Sequence, residues 1–423
     1  MSLSRFLYSV VLYIAAPLLL LRLCWRGRKQ RGYMRHIPER FGFYANPGDF
    51  RFIWVHAVSV GETRAVEPLI RALQVQYPGH RILLTHMTPT GRETGEALFA
   101  DSVTQCYLPY DYPGATKRFF EHFRPETGLL METEVWPNLI AAGVAAGVPL
   151  QLINARLSER SQRGYNRVGA LACDAMRSFR AIAAQTEADA ARLRALGAKS
   201  VFVTGNLKFD VTAPAMQIVQ GEVLKRAIGS RQVLLAASTR EGEEELLLDA
   251  VRQSGLNGAL LVIVPRHPQR FAAVAAMVAA SGLRMRQRSA GDNIDASTEV
   301  LLGDTMGEMF MYYAACDVVL MGGSFLSYGA HSLIEPCSVG KPVIVGPSTY
   351  NFAEAAAAAV AAGAALNAVD AEHALGLAME LAGDSARRRK MGEAGVAFTA
   401  SHRGAVSRVM ALIEFRQSQQ TGD

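Results

Sequence analysis

From about residue 50 onward, short apolar runs alternate with longer, alanine-rich segments of mixed polarity. Short aliphatic runs bounded by Gly, Pro, Asn or Asp are typical of strands buried on both faces of a parallel sheet, and the segments between them have the length of helices. The chain is therefore predicted to be an α/β protein. We expect strands at Phe52–His56, Arg81–Thr85, Gly128–Met131, Leu150–Asn154, Ala181–Gln185, Val201–Thr204, Val233–Ala237, Leu260–Val264, Val318–Met321 and Val343–Gly346, with weaker ones near Leu283 and Val300.

The alternation is interrupted between residues 208 and 230, at Thr212-Ala213-Pro214, and a new series of strands and helices then begins. We expect two doubly wound, Rossmann-like domains that face each other across a cleft, residues 45–212 and 213–423. Sites in such sheets lie at the carboxyl ends of the strands.

A different pattern precedes them. Phe6 to Leu21 is an uninterrupted run of apolar or small residues between Arg5 and Arg22. A helix needs about 17–25 such residues to cross a membrane. Residues 1–44 are therefore predicted to be a membrane-anchor helix and a basic arm, with a spanning and an interfacial helix both open. A helix buried in the protein core is the alternative. The arginines after the run predict that the following chain is cytoplasmic.

The formal net charge of +6 is concentrated at this end of the chain, because residues 1–51 contain nine Lys or Arg and two acidic residues. Since the basic block directly follows an apolar run, it favours anionic lipid head groups over nucleic acid as a partner; a solvated connector is the alternative. The composition, 50% hydrophobic and 19% charged, excludes a disordered protein. The five cysteines contain no CxxC pair, which argues against a disulfide framework or a structural zinc site and favours a reducing compartment.

Carboxylates follow two strands of the first half. Ser59 and Gly61 allow a tight turn after the first strand, so Glu62 is expected at the start of a helix, where it could accept a proton from a hydroxyl nucleophile or simply complement the helix dipole. Glu132 and Glu134 follow a later strand and point to the same side if that strand continues, with a capped helix start as the alternative.

Further polar residues end neighbouring strands of the first half. Lys208 is a possible cation for a leaving phosphate, although a solvated lysine is the ordinary interpretation. Asn154, Arg156 and Ser158 lie at another strand end.

The second half has the features of a phosphate site. Arg266 and His267 follow a very apolar strand, and both side chains can bind phosphate. Asp304–Glu308, Gly322–Phe325 and Gly329–Pro336 follow at later strand ends, and a Gly-rich turn can direct backbone N–H groups at an anion. Together these segments predict a nucleotide-sugar site. No GxxxxGK[ST] motif is present, which argues against a P-loop NTPase, and no metal-ligand motif is evident.

The segments SVGE, METEVWPN, NARLS, GNLKFD, PRHP, DTMGE, GGSF and HSLIEP occur in this order over essentially the whole chain, which resembles the bacterial 3-deoxy-D-manno-octulosonic acid (Kdo) transferases. That resemblance implies a GT-B fold with an N-terminal acceptor domain and a C-terminal nucleotide-sugar domain. It implies inverting transfer of Kdo from CMP-Kdo to a lipid A precursor, lipid IVA, in lipopolysaccharide inner-core synthesis. It also implies anchoring at the cytoplasmic face of the inner membrane, and no metal or cofactor.

Residue roles are carried over from the resemblance. Glu62 matches the general base, and Glu132 and Lys208 match positions that stabilise the transition state. The implied nucleotide-binding residues are Pro265, Arg266, His267, Met306, Gly307, Glu308, Ser332, Leu333, Ile334 and Glu335. Other implied substrate contacts are Ser59, Gly61, Asn154, Arg156, Ser158, Gly323 and Ser324.

Two positions depart from the family pattern. Ser332 stands where the family usually has Asn, and Ala330 replaces a Gly. Ser still forms hydrogen bonds but lacks the amide fork. A paralogue that uses another CMP- or UDP-sugar, or another lipid-linked acceptor, is therefore the alternative. Two further alternatives are a nucleotide-sugar epimerase and a membrane-surface binding protein without activity.

Overall fold

The computed structural model describes residues 2–291 and 293–415. The chain forms two compact units: one contains the chain up to Asp210 and the segment from Arg403 onward, and the other runs from Val211 to His402. The expected boundary after residue 212 lies close to this division. The expected domain of residues 213–423 differs at its C-terminal end, because the segment from Arg403 belongs to the first unit. Residues 1–44, expected as a separate anchor and arm, also belong to the first unit.

The first unit is built on a parallel seven-stranded sheet in the order β3-β2-β1-β4-β5-β6-β7. The strands are β1 Phe52–His56, β2 Arg81–His86, β3 Val103–Tyr107, β4 Thr127–Met131, β5 Leu150–Ala155, β6 Ala181–Ala184 and β7 Val201–Val203. The helices are α1 Leu3–Lys29, α2 Val60–Gln76, α3 Pro89–Phe99, α4 Pro113–Phe123, α5 Pro137–Ala145, α6 Glu159–Arg167, α7 Gly169–Ser178 and α8 Glu187–Ala195, with short 3-10 turns at Arg31–Met34, Ile37–Phe41, Ala100–Ser102 and Leu207–Asp210.

The second unit repeats this architecture, with a parallel sheet in the order β10-β11-β9-β8-β12-β13-β14. Its strands are β8 Val233–Thr239, β9 Leu260–Pro265, β10 Met285–Gln287, β11 Val300–Leu302, β12 Val318–Met321, β13 Val343–Val345 and β14 Ala365–Asn367. Its helices are α9 Ala215–Ile228, α10 Glu243–Ser254, α11 Phe271–Ala280, α12 Met309–Ala315, α13 Ile334–Ser338, α14 Ala353–Ala361, α15 Ala371–Gly383 and α16 Ser385–His402, with a 3-10 turn at Pro268–Arg270. A last helix, α17 Ala405–Met410, lies in the first unit.

The prediction of two doubly wound parallel sheets is confirmed. In each unit the paired strands run parallel and the order changes direction at a central strand, β1 or β8. Such an order requires crossover helices on both faces of the sheet, so the strands are buried on both sides. The carboxyl end of the sheet beside the central strand is then where ligands are bound in this fold class.

Close packing fixes the register of the first sheet at Trp54. Its fully buried indole lies 5.0 Å from the ring of Phe119 and 5.6 Å from that of Phe120, measured between centroids. Trp54 pairs with Gly128 on β4. A Cβ atom at Gly128 would lie 2.6 Å from the Trp54 ring, so only glycine allows β1 and β4 to pair here.

Two strands of the structure, β3 and β14, were absent from the sequence prediction. Both are edge strands. The sequence of β3, VTQCY, is interrupted by two polar residues, and that of β14, ALN, is very short. Neither has the continuous apolar run that identifies a strand buried on both faces.

The helix α1 begins at Leu3, where the side chain of Ser2 accepts a hydrogen bond from the backbone N–H of Arg5. Within the described residues it is the one helix that is long and apolar enough to cross a membrane. Core helices of soluble proteins and signal sequences share this length and apolar composition.

Candidate functional site

Glu62 lies in the first turn of α2, directly after β1, as predicted. Ser59 is the N-cap residue, and its hydroxyl accepts from the Glu62 N–H and donates to Glu62 Oε1 at 2.9 Å. Glu62 Oε2 accepts from the backbone N–H of Val58 at 2.9 Å. These hydrogen bonds resemble a capping box, except that Glu62 accepts from the residue before the N-cap, and they hold the carboxylate at the carboxyl end of the central strand. Gly61 is exposed beside it, and a Cβ atom there would make only an ordinary contact, 3.9 Å from the Ser59 hydroxyl oxygen.

The environment of Glu62 makes its carboxylate a base at neutral pH. Burial raises the pKa of Glu62 to about 7. The hydrogen bonds from Val58 and Ser59 oppose this shift, whereas the nearby charges of Glu132 and Glu134 add to it. A buried carboxylate whose pKa lies near the working pH is suited to general-base catalysis, because it is deprotonated when substrate binds yet basic enough to take a proton.

Glu132 and Lys208 meet beside this carboxylate. The Lys208 Nζ atom lies 3.9 Å from Glu132 Oε1, and both side chains are partly exposed. Lys208 is positioned by the turn after β7, where its backbone N–H donates to the Oδ1 atom of Asn206 at 3.0 Å. The structure therefore brings together the three residues expected to be catalytic, although they are separated by up to 146 positions in sequence (208 minus 62).

Glu132 and Glu134 do not alternate along a continuing strand. β4 ends at Met131, and Glu132 adopts a left-handed conformation with φ of 57°. The chain then turns, so that Trp136 Nε1 donates to Glu134 Oε2 at 2.6 Å. Burial raises the pKa of Glu134, opposed by the Trp136 hydrogen bond. A second carboxylate with a raised pKa thus lies near Glu62, a feature that the strand interpretation did not predict.

The helix after this turn begins with a proline, as the alternative interpretation required, but neither glutamate caps it. Pro137 occupies the first position of α5, and the Asp111 carboxylate accepts from the backbone N–H groups of Asn138 and Leu139 at 3.0 and 2.7 Å. The capping carboxylate therefore comes from a distant loop, not from Glu132 or Glu134.

The other first-unit residues have mainly structural contacts. Asn154 is fully buried with φ of 51°, and its Oδ1 atom accepts from the Leu207 N–H at 3.0 Å, which ties β5 to the turn that carries Lys208. Ser158 is the N-cap of α6 and accepts from the Ser161 N–H at 3.1 Å. Arg156 is partly exposed between them. Asn154 therefore positions the turn that carries Lys208, and contact of its side chain with substrate stays a prediction.

In the second unit, four basic side chains lie together after β8, β9 and β12. Burial and the charges of Arg266, Arg240 and His267 lower the pKa of His331 to about 3. Burial, followed by the charges of Arg240, Arg266 and Arg270, lowers the pKa of His267. Neighbouring cations lower the pKa of a histidine, as is seen for both residues here. A cluster of cations also attracts an anion.

His331 is half-buried, and its Nε2 atom lies inside the protein. Its Nε2 atom has no hydrogen-bond partner among the described residues, and a Cβ atom at Gly323 would lie 3.3 Å from it. Gly323, with φ of 72°, thus lets the imidazole lie against the loop after β12. An unpartnered buried nitrogen among cations is an available donor for an anionic ligand.

The loop Gly322–Phe325 is held by a residue that the sequence analysis missed. Glu243 is fully buried at the start of α10, and its carboxylate accepts from the backbone N–H groups of Arg240, Gly323 and Phe325 at 2.8, 2.7 and 2.9 Å. Ser324, expected as a substrate contact, is fully buried instead. Its hydroxyl donates to the Met321 carbonyl at 2.5 Å and accepts from the Gly346 N–H at 2.7 Å.

Glu244 and Arg270 were also missed. Arg270 donates to both carboxylate oxygens of the fully buried Glu244 at 2.7 and 3.0 Å. This fork–fork pair fixes the turn that begins with Arg266 and His267. The only sequence signal for these positions was the run Glu243-Glu244-Glu245, which resembles an ordinary helix N-terminus.

The remaining predicted nucleotide contacts fall into two groups. Glu308 is paired with Arg288 at 3.0 Å and accepts from the Thr305 hydroxyl, while Met306 and Gly307 next to it are exposed. Burial raises the pKa of Glu308, but the hydrogen bonds of Arg288 and Thr305 outweigh it and leave that pKa lowered. The side chains of Pro265, Leu333 and Ile334 are buried in the core, whereas Ser332 and Glu335 are partly exposed.

Ala330 has a left-handed conformation with φ of 64°, and its N–H donates to the Gly323 carbonyl at 2.6 Å. Left-handed residues other than glycine are uncommon and cost conformational energy. The loop therefore has a backbone conformation suited to glycine at a position occupied by alanine.

The family described as 3-Deoxy-D-manno-octulosonic-acid transferase (kdotransferase) matches residues 35–211. The chain is 45% identical to the 3-deoxy-D-manno-octulosonic acid transferase of Bordetella pertussis over 426 residues, which covers 97% of this chain and 99% of that protein. It belongs to the Kdo transferase family. A second relative, the enzyme of the same name from Haemophilus influenzae, is 35% identical over 97% of this chain and 98% of that protein.

Among solved structures, a UDP-GlcNAc 2-epimerase from Neisseria meningitidis bound to UDP-GlcNAc is similar to this Kdo transferase family member with a TM-score of 0.57. The sequence identity is 17%, and the similarity covers 85% of this chain and 99% of that chain. This likeness concerns the fold alone. Together with the two parallel seven-stranded sheets, it confirms the predicted GT-B architecture.

Proposed function

We propose that this protein is a glycosyltransferase that moves Kdo from CMP-Kdo to a lipid A precursor, lipid IVA, with inversion at the anomeric carbon. The observation that carries the proposal is the Glu62 carboxylate. It is buried, its pKa is raised to about 7, and it is held by Ser59 and Val58 beside the Glu132–Lys208 pair. Membership of the Kdo transferase family supports the sugar that is transferred.

The proposed first step is proton removal from the acceptor. Glu62 accepts the proton of an acceptor hydroxyl as its oxygen forms a bond to the anomeric carbon of Kdo. The bond from that carbon to the phosphate oxygen of CMP breaks, and its electron pair leaves with CMP. Attack from the face opposite the leaving group inverts the anomeric centre. No covalent enzyme intermediate is needed, since one carboxylate suffices for a direct displacement.

Charge that develops on the leaving phosphate requires stabilisation. The basic group of Arg240, Arg266, His267 and His331 in the second unit supplies cations and a free imidazole nitrogen for it. Lys208 supplies a further cation beside Glu132. Preorganised cations of this kind stabilise a phosphate leaving group without metal chemistry, and we propose that the reaction uses neither a metal nor a cofactor.

The proposed location is the cytoplasmic face of the bacterial inner membrane. The exposed apolar surface of α1 and the arginines after it support attachment to an anionic leaflet. A lipid-linked acceptor resident in that leaflet would then reach the first unit without leaving the membrane.

The test is a transfer assay in detergent with CMP-Kdo and a tetraacylated lipid A precursor, with product mass as the readout. Wild-type protein is expected to add Kdo to the acceptor. Glu62→Gln keeps the size and one hydrogen-bond acceptor but removes the base, and a loss of about 100- to 10,000-fold in rate is expected. Glu67→Gln, on the exposed side of the same helix where Glu67 pairs with Arg71, is the matched control and should retain wild-type activity. A Glu62→Gln protein as active as the control would contradict the proposed base.

A second candidate function is transfer of another CMP- or UDP-sugar, or transfer to another lipid-linked acceptor. Ser332 and Ala330, which differ from the usual family residues, favour this candidate because both lie in the expected nucleotide segment. Calorimetric titration with CMP and with UDP distinguishes the nucleotides. Binding of CMP without transfer of Kdo would indicate that the enzyme uses another sugar or another acceptor.

A further inference from the structure

The apolar helix α1 packs along one face against the first unit instead of projecting away from it. The stripe Arg5, Tyr8, Ser9, Leu12, Ala15, Ala16, Leu19 and Leu23 is partly or fully buried, and it follows the spacing of one helix face. The helix contacts α5 and α7, and its C-terminal end packs against the turn at Arg31–Met34. Contacts with α5 and α7 therefore attach α1 to the first unit, and the turn that follows α1 holds its C-terminal end.

The N-terminal half is attached through polar groups. The Ser9 hydroxyl is within 3.3 Å of Asn138 Oδ1, and Asn138 Nδ2 donates to Ser9 Oγ at 3.1 Å. Asn138 Nδ2 also donates to the backbone carbonyl of Asp111 at 2.7 Å, and Tyr8 hydrogen-bonds the Asp111 carboxylate. Ser9, Asn138 and Asp111 are all buried. We call these residues, with Tyr8, the polar latch.

One further contact lies beside the polar latch. The Tyr112 hydroxyl donates to the backbone carbonyl of Leu12 at 3.3 Å, and the Tyr112 ring lies 5.0 Å from that of Tyr13. The attachment thus continues along α1 for more than one turn beyond Ser9.

A transmembrane orientation conflicts with the polar latch. If Arg22 marked the cytoplasmic boundary of the hydrocarbon, Ser9 would lie about 20 Å deep, at a rise of 1.5 Å per residue. The hydrocarbon core is about 30 Å thick. Asn138, which hydrogen-bonds Ser9 directly, and Asp111, which is hydrogen-bonded to Asn138 and Tyr8, would have to lie about equally deep, together with the loops that carry them. Loops and carboxylates facing lipid at that depth are strongly unfavourable.

The outward face of α1 has the composition of a membrane-surface helix. Its exposed apolar side chains form a continuous row and include Leu3, Phe6, Leu7, Val10, Val11, Ile14, Leu18, Leu21 and Trp25. Exposed arginines flank the C-terminal end of this row, at Arg22, Arg26, Arg28, Arg31 and Arg35. Apolar side chains bounded by cations complement a leaflet with anionic head groups, which a protein partner or a second copy of this basic face does not offer.

We propose that α1 lies flat on the membrane as a monotopic helix, held to the first unit by the polar latch, with its apolar face in the cytoplasmic leaflet and both of its ends on the cytoplasmic side. This proposal rests on the membrane location in the proposed function and specifies its geometry. It also places the first unit, with Glu62, directly against the leaflet, because α1 is part of that unit along its whole length.

The first experiment tests whether the polar latch is closed in membranes. Cys24 and Cys173, the cysteines that are not buried, are replaced by Ser. Ser9→Cys with Asn138→Cys is then oxidised in native membranes, and an intramolecular disulfide is expected from the short distance between the two side chains. Ile14→Cys with Asn138→Cys is the matched control and should not cross-link, since Ile14 is 73% exposed on the outward face.

The second experiment locates the N-terminal end of α1. Ser2→Cys is introduced in the same background and spheroplasts are treated with a membrane-impermeant maleimide. Labelling is expected only after lysis, as for a control cysteine at the exposed position Glu187. Labelling of Ser2→Cys in intact spheroplasts, at a level the Glu187→Cys control does not reach, would overturn the flat orientation.

Fractionation separates failure of this proposal from failure of the proposed function. Protein found only in the cytosol, as a monomer or as a dimer formed through α1, would refute membrane attachment itself. Protein found in the membrane, without the Ser9–Asn138 cross-link and with its N-terminus labelled from outside, would refute only the flat orientation. Kdo transfer in detergent is measured separately and depends on neither result.

Discussion

At the scale of single residues, each unit has strained backbone after strands that carry its candidate site residues. Glu132, Asn154, Ser238 and Ala330 all have left-handed backbone conformations, with φ between 51° and 64°. Each costs conformational energy, and such residues tend to occur at functional sites where the surrounding structure holds them. None is a glycine, so the sequence carries no local sign of them. This is why alternation along β4 predicted the wrong relation between Glu132 and Glu134.

The raised pKa of Glu62 predicts how kcat/KM depends on pH. Since its pKa is raised to about 7 by burial, the fraction in the basic form falls below neutral pH. We expect kcat/KM for the acceptor to be constant above about pH 8 and to fall about tenfold per pH unit below about pH 6. Steady-state assays between pH 5.5 and 8.5 measure this profile. Glu134→Gln is the control, because Glu134 also has a raised pKa, and removing it should lower the pKa of Glu62 slightly without abolishing the acid limb. If the profile became flat in Glu134→Gln, the titrating group would be Glu134 and not Glu62.

The left-handed backbone of Ala330 predicts how substitutions there change the stability of the protein. Its left-handed conformation accepts glycine easily, so Ala330→Gly should change the free energy of unfolding by less than about 1 kcal/mol. A β-branched residue is far less tolerant of positive φ and would also overfill this buried position, so Ala330→Val should lower that free energy by about 2–3 kcal/mol. Urea unfolding of the two variants tests the pair. Equal stability of the Gly and Val variants would show that the loop can change its conformation.

At the scale of elements, the strands that the sequence predicted are those with continuous apolar runs, and the ones it missed are the edge strands β3 and β14. The same limit applies to the second-unit site. Its Gly-rich loop was predicted from GGSF, but Glu243, which holds that loop, lies about 80 residues earlier in the chain (323 minus 243). A buried carboxylate that accepts from distant backbone N–H groups cannot be recognised from spacing, because its partners are set by the sheet order.

Glu243→Gln tests how strongly the loop depends on this carboxylate. Gln has one acceptor oxygen and an amide that cannot accept, so one of the N–H groups of Arg240, Gly323 and Phe325 would face another donor. We expect a loss of about 1–3 kcal/mol in the free energy of unfolding. The KM for the sugar-nucleotide donor should rise at least about tenfold, with a smaller change in kcat.

Glu245→Gln is the control for this variant, since Glu245 is exposed in the same first turn of α10. Melting temperature and donor KM are measured for both proteins. A Glu243→Gln variant with the donor KM of the control would mean that the loop is held by other contacts.

At the scale of the whole molecule, the parallel sheets and the domain boundary near residue 210 can be predicted from local patterns in the sequence. The return of the C-terminal segment to the first unit cannot. Arg403 to Phe415 makes its contacts with residues about 200 or more positions away, such as Asp210 and Thr127. A short helix, α17, of ordinary composition gives no indication of which sheet it will contact, so the sequence assigned it to the nearest domain in the chain.

The last prediction concerns Asp210, which joins the two parts of the first unit. Its carboxylate accepts from the backbone N–H groups of Gly404 and Val406 at 2.6 and 2.5 Å, and so caps the start of α17. Arg408 on α17 donates to the Thr204 carbonyl at 2.8 Å, and Val409 is buried against the first unit. Loss of a helix cap costs about 0.5–2 kcal/mol. We expect Asp210→Asn to lower the free energy of unfolding by that amount, with no such loss in Asp174→Asn, whose side chain is exposed on α7.

Truncation after His402 should have the larger effect, because it removes α17 and the capped segment together and exposes the apolar surface that Ala405 and Val409 cover. Since Asp210 is the last residue of the turn that carries Lys208, loosening α17 is also expected to lower transfer activity before the protein unfolds. Thermal melts and transfer assays on the same preparations separate the two effects. A truncated protein with wild-type melting temperature and activity would show that the first unit is complete without its C-terminal segment, and that the contacts of Asp210 contribute nothing to the position of Lys208.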